Sequence, residues 1–147
     1  MSSKKCHQTN SPCPLAGALD IVGDHWSLLV VRDIMFFEKR EYKNMLSSWE
    51  GISTNILVDR LKSLTVNGVI DAIPHPESKR RKLYYLTNRG KQLIPAVCEL
   101  TRWGYQIQSK KTKALHLRKL ANSSTRSINR DLLLRHAKWE RSMNVVV

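Results

Sequence analysis

The stretch "HWSLLVVRDIMFF", His25 to Phe37, most constrains what this chain can become. It is apolar nearly throughout, yet shorter than the roughly 20 residues a helix needs to cross a bilayer. A helix that is apolar on most sides has to be enclosed by other elements of its own domain. The segments around it must therefore supply amphipathic partners, and they do. "CPLAGALDIVG", Cys13 to Gly23, predicts a short helix with Pro14 in its first turn, Leu15, Leu19 and Val22 on one face, and Gly23 at its end. "REYKNMLSS", Arg40 to Ser48, is amphipathic through Tyr42, Met45 and Leu46. "STNILVDRLKSLTVNG", Ser53 to Gly68, begins with an N-capping serine, carries Leu57, Leu61 and Leu64 as an inward stripe, and stops at Asn67-Gly68.

Beyond Gly68 the period changes. "VIDAI" (Val69 to Ile73) and "KLYYL" (Lys82 to Leu86) alternate as strands and bracket the loop "PHPESKRRK" as a hairpin. Lys79, Arg80, Arg81 and Lys82 are thereby expected at its tip, where their mutual repulsion calls for solvent or a polyanion. Thr87 then caps a long helix, roughly 88–110, with Pro95 bending it. Leu93, Val97, Leu100, Gly104 and Ile107 recur along it at steps of four and three, a heptad seam about two repeats long. After Lys111 the composition shifts: "NSST" breaks the chain, and Ile128, Leu132, Leu133, Trp139 and Met143 are expected on one face of a last helix. The reading is mainly α with a small β-hairpin, divided into an arm (1–12), a folded domain (13–110) and a basic extension (111–147).

The chain of 147 residues carries 25 Lys plus Arg against 12 Asp plus Glu, a net charge of +13. Such an excess points to nucleic acid, an anionic surface or another acidic partner. Residues 110–147 hold 10 of those cations against 2 acids, so the charge is concentrated outside the folded domain. No apolar run of membrane-spanning length occurs, and "MSSKKCHQTN" has no secretory h-region. Three cysteines, Cys6, Cys13 and Cys98, make no disulfide framework, and a reducing cytoplasmic setting is expected. Cys6, His7 and Cys13 lack the ligand number of a zinc site. No phosphate-cradling glycine loop, HExxH or nucleophile elbow is present, so neither an enzyme nor a cofactor is expected.

The element order places a tight turn and a capped helix before a cationic hairpin. That is a winged helix-turn-helix, in which the second helix enters a major groove and the hairpin meets phosphate. The segments "CPLAGALDIVGDHWSLLVVRDI", "GISTNILVDRLKSLTVNGVI", "KLYYLTNRGKQLIPAV" and "RWG" resemble the HxlR-type winged helix-turn-helix regulators of bacteria and archaea, within the MarR-like superfamily. The resemblance covers Cys13 to about Gly104. It implies a homodimer held by the first helix and the last helix of the domain, with Ser53–Asn67 reading double-stranded DNA and the wing touching its backbone. Repression of transcription is the outcome it implies. The sequence departs from the family pattern at His25, where a Lys or Arg is common, and in the long basic extension.

The expected DNA-binding residues are Ser53, Thr54, Asn55, Val58 and Lys62 on the reading helix, Lys79, Arg80 and Arg81 on the wing, and Arg40 and Lys43 ahead of the turn. Asn55 suits adenine and Thr54 a phosphate or a thymine methyl group. Asp59 also faces outward, and Arg60 is as much an ion-pair partner as a DNA ligand. Leu15, Leu19, Leu93, Val97, Leu100, Gly104 and Ile107 are expected at the dimer interface. Trp26, Trp49 and Trp103 are read as core or dimer packing. Cys13, before Pro14 at a helix start, is a candidate sensor of oxidants or electrophiles, because unpaired N–H groups there favour a thiolate; Cys6 is a weaker resolving partner. Two rival readings are a winged helix that binds an acidic protein, and a thiol protein whose DNA binding is incidental.

Overall fold

A computed structural model of the protein describes residues 11–108 and 122–146. The expected arm, Cys6, His7 and the start of the basic extension fall mostly outside them. The described residues form two compact units that divide between Tyr85 and Leu86. The division therefore falls before the long helix, where the sequence reading had drawn no boundary.

The first unit is built around the apolar stretch. Helix α1 (Pro14–Val22) starts with proline and ends at Gly23, whose N–H donates to the Leu19 carbonyl at 2.7 Å. A Cβ at position 23 would lie 2.3 Å from that same oxygen, so no other residue fits without the backbone moving. Helix α2 (Ser27–Phe37) is capped by Asp24, which accepts the N–H groups of Trp26 at 2.8 Å and Ser27 at 3.0 Å. Val30, Val31, Ile34 and Met35 are essentially inaccessible, as an all-round apolar helix requires.

Helix α3 (Tyr42–Leu46) and helix α4 (Thr54–Val66) pack on each other, and α4 packs on α1 and α2. Between them Gly51 adopts φ +70°, a left-handed conformation that makes the tight turn possible without strain. Ser53 caps α4 as expected, its hydroxyl accepting from the Ile56 N–H. Leu57, Leu61 and Leu64 are buried; replacing any of them by alanine is worth about 2–5 kcal/mol.

Strands β1 (Ile70–His75) and β2 (Ser78–Leu86) form a two-stranded sheet. The hairpin turns at Pro76-Glu77, so Lys79 to Lys82 lie along the strand and not in the connecting loop. The strand starts at Ser78, ahead of the Lys82 that the sequence predicts, because clustered charge reads as a loop signal although an exposed strand face also carries lysine and arginine. On its free edge β2 is met by the backbone before α3, where the Tyr84 N–H donates to the Arg40 carbonyl at 2.8 Å.

The second unit holds α5 (Asn88–Lys91), α6 (Ile94–Ile107) and α7 (Thr125–Ser142). The single helix expected from residue 88 is interrupted at Gln92-Leu93, and Pro95 sits in the first turn of α6, where its missing N–H is harmless. The proline starts a helix rather than bending one. Helix α7 packs along α6, and Arg102, paired with Glu99 of its own helix at 2.6 Å, reaches Thr125 at 3.0 Å and the Ser123 carbonyl at 2.8 Å. Lys91 meets Glu140 at 2.6 Å. The buried side chains of α7 are Leu132, His136 and Glu140, whereas Leu133 points outward. No single helix among the described residues is long and apolar enough to cross a membrane.

Candidate nucleic-acid interface

Four elements of the first unit, α3, α4, β1 and β2, converge on one surface. Two adjoining clefts share Tyr42, Lys82 and Tyr84. The larger, about 490 Å³, adds Glu41, Lys43, Arg80 and Arg81; the smaller, about 370 Å³, adds Val58, Leu61, Lys62, Thr65, Val66, Asp71 and Ala72. Alternation along β2 puts Arg80, Lys82 and Tyr84 on the strand face toward α4. Lys82 is expected here as part of the cationic wing; Tyr84 is not, although that period of two is available in the sequence.

The cations of this surface are not equivalent. Arg81 is held by Glu41, with Nε 2.9 Å from the carboxylate, and its Nη2 lies 3.3 Å from His75 Nε2. Arg81 first, then Lys43 and His75, hold the Glu41 carboxyl below the ordinary carboxylate range. Lys43 stands 3.9 Å from the same carboxylate and is otherwise exposed. Lys62, Lys79, Arg80 and Lys82 make no ion pair among the described residues and are exposed. Arg40 differs from its expected role. It is 5% exposed, and its Nη1 lies 3.5 Å from the Tyr84 carbonyl, so it braces the hairpin from inside instead of lining the surface.

On α4 the outward residues are Thr54, Asn55, Val58, Asp59 and Lys62, all exposed. Ser53 is exposed too, but its hydroxyl is engaged as the cap. Arg60 is drawn aside, 2.9 Å from Asp24 and paired with Asp59. Burial works against the charge on Asp24, but the Ser27 hydroxyl, the N–H groups of Trp26 and Ser27, and Arg60 outweigh it and hold the carboxyl low. Burial, with Tyr42 adding to it, pushes the Tyr84 phenol up.

The interface residues expected elsewhere divide. Leu15 and Leu19 on α1 are 66% and 55% exposed. On α6, Leu100 and Ile107 are 51% and 63% exposed, and Trp103, not counted in the seam, is 61% exposed. Val97 is buried at 5%, and Leu93 and Gly104 are half-buried, so the exposed stripe is Leu100, Trp103 and Ile107. Trp49 lies outside the core at 59% exposure, edge-on to Phe37 at 5.8 Å. Cys13 is a free, exposed thiol at the start of α1, while Cys98 is buried and its thiol is pushed up by that burial. No group of three metal-binding side chains occurs among the described residues.

A helix-turn-helix followed by a cationic hairpin defines a winged-helix transcriptional regulator. The profile of the HxlR-like helix-turn-helix family matches residues 21–112, and the chain belongs to that family. An uncharacterised HTH-type transcriptional regulator of Synechocystis is 32% identical over 67% of this chain and 73% of its own. One from Mycobacterium tuberculosis is 34% identical over 59% of this chain, which spans only 54% of that relative's length. Among solved structures, PA1607, a candidate transcription factor, superposes with a TM-score of 0.63 at 34% identity, covering 72% of this chain and 73% of that one.

Proposed function

We propose that this transcriptional regulator binds a specific double-stranded operator as a homodimer and represses transcription from it in the cytoplasm. The observation that carries the reading is the convergence of Lys43, Lys62, Arg80 and Lys82 on two adjoining clefts, one of them lined by α4 from Val58 to Val66. Helix α4 enters the major groove, with Asn55 and Thr54 reading base edges, and β2 follows the phosphate backbone with Lys79, Arg80 and Lys82. Each neutralised phosphate releases counterions, which relieves the crowding of like charge on the strand. Two copies related by a two-fold axis address half-sites about one helical turn, ~34 Å, apart. Apolar surface for pairing is offered by the exposed Leu15 and Leu19 in the first unit and, separately, by the stripe of Leu100, Trp103 and Ile107 in the second.

Selection of bound fragments from a genomic DNA pool, followed by footprinting, tests this reading; two protected half-sites with dyad symmetry are expected. Leu100→Asp is expected to sediment as a monomer and to lose operator affinity by two orders of magnitude or more. A DNA-competent dimer from that variant counts against the reading.

A second feature, the exposed free thiol of Cys13 at a helix start, supports regulation by an oxidant or electrophile. Operator affinity that changes on oxidation in the native chain and not in Cys13→Ser is the expected result.

A further inference from the structure

We infer that α4 recognises A·T pairs by covering thymine methyl groups with Val58, so that the operator half-site is rich in thymine where this helix lies. The inference rests on the DNA-binding reading above and specifies what the reading helix reads.

The chemistry of the outward face of α4 carries it. Guanine is most often read by an arginine fork on its O6 and N7. The helix has one arginine, Arg60, and that side chain is occupied by Asp24 at 2.9 Å and by Asp59. Cytosine is read by a carboxylate accepting from its amino group. The only carboxylate on the helix is Asp59, and Arg60 already claims it. Arg60 and Asp59 are thus turned on each other, and Lys62, the other side chain of this face that could donate to guanine, stands a turn further along beside Lys82. What stands forward of them includes Asn55, suited to adenine, the Thr54 methyl group, and Val58, an aliphatic side chain 56% exposed to solvent against 36% for Ile56.

An isolated exposed valine needs no explanation in itself. This one stands one turn beyond Thr54 and Asn55, the stretch of helix that reaches base edges in this class of fold. It also lines the cleft that holds Lys62 and Lys82, whose unpaired charges bring a duplex against it. Its isopropyl group offers no hydrogen bond to any base, and the one apolar group on the major-groove edge of DNA is the C5-methyl of thymine. Lys62, a turn further along and beside Lys82, serves the phosphates.

The test uses the full chain and duplex fragments recovered from a genomic DNA pool, resynthesised with deoxyuridine at one thymine position at a time. Deoxyuridine keeps every hydrogen bond and lacks only the methyl group. Native protein is expected to lose about fourfold in affinity per half-site at the position under Val58, the equivalent of exposing one CH₂ group. Val58→Ala is expected to bind both duplexes with little difference. Lys62→Ala is expected to bind all duplexes more weakly while keeping the discrimination. Equal affinity of native protein for both duplexes overturns the inference, and so does a preference that survives in Val58→Ala, but both outcomes leave DNA binding standing. Failure to retain any duplex at low salt removes the underlying reading itself.

Discussion

Two charge clusters in the first unit use the same ingredients in different surroundings. Under α2, Arg32 and Asp33 have side chains 9% and 4% exposed, and they meet at 2.6 Å. Glu50 closes on the same guanidinium, Ser48 donates to Asp33, and Lys39 approaches Asp33 at 3.6 Å and donates to Ser48 at 2.6 Å. Phe37 and Trp49 shelter the Lys39 ammonium group, at 5.8 and 5.9 Å from the ring centres. On the wing, Glu41 is offered to Arg81, Lys43 and His75, and three further cations stand unpaired in water. The buried cluster is nearly balanced and satisfied, as the low dielectric around it demands. The wing carries more cation than carboxylate, which solvent tolerates and a phosphate backbone rewards. Desolvation separates a structural ion-pair network from a binding surface; residue type does not.

The contrast can be broken most severely at Asp33. Asp33→Ala leaves Arg32 buried with half its partners gone and is expected to cost about 3–5 kcal/mol, read from the midpoint of chemical denaturation. Arg80→Ala with Lys82→Ala, by contrast, is expected to leave that midpoint unchanged. Operator affinity falls about tenfold in that variant, and the salt dependence flattens by about two units per half-site. Loss of stability there instead would erase the distinction between the clusters.

Glu41→Gln is the sharper instrument, because it releases Arg81 without removing it. Affinity is expected to rise a few-fold for any duplex, with the salt slope steeper by about one unit per half-site. An unchanged slope means Arg81 never reaches phosphate. Acid titration gives the smallest effect. At Glu50 burial opposes the charge, but the hydrogen bonds and charge of Arg32 prevail and hold its carboxyl below the ordinary 4.5. Its contribution is therefore fully present above that value and is lost as pH falls through the lowered folded value. Melting temperature against pH is expected to drop in this acid window, and less steeply in Glu50→Gln.

Much of the first unit was legible in the chain because its signals are local. Pro14, Ser53, Asn67 and Gly68 act on the backbone within a turn, and the Leu57, Leu61, Leu64 spacing defines one buried helix face whatever it meets. The strand register of Lys79 to Lys82 was also present, as alternation into Tyr84 and Tyr85, but four cations together outweighed it. Arg40 was misplaced for a different reason. Only its backbone pairing with Tyr84, a residue 44 positions away, draws the side chain inward. Likewise nothing near Arg60 foretells Asp24, 36 residues earlier, as its partner.

Periodicity, caps and turn residues determined by themselves the helix-turn-helix and the hairpin, since those features are encoded over a few consecutive residues. Tertiary structure alone decided which charges are free. It tied Arg81 to Glu41 and Arg60 to Asp24, buried Arg40, and left Lys62 and Lys82 lining one cleft with Val58 and Arg80 lining the adjoining one. The pairing of a charge depends on distance and solvent exclusion, and both arise only when residues distant in the chain are brought together.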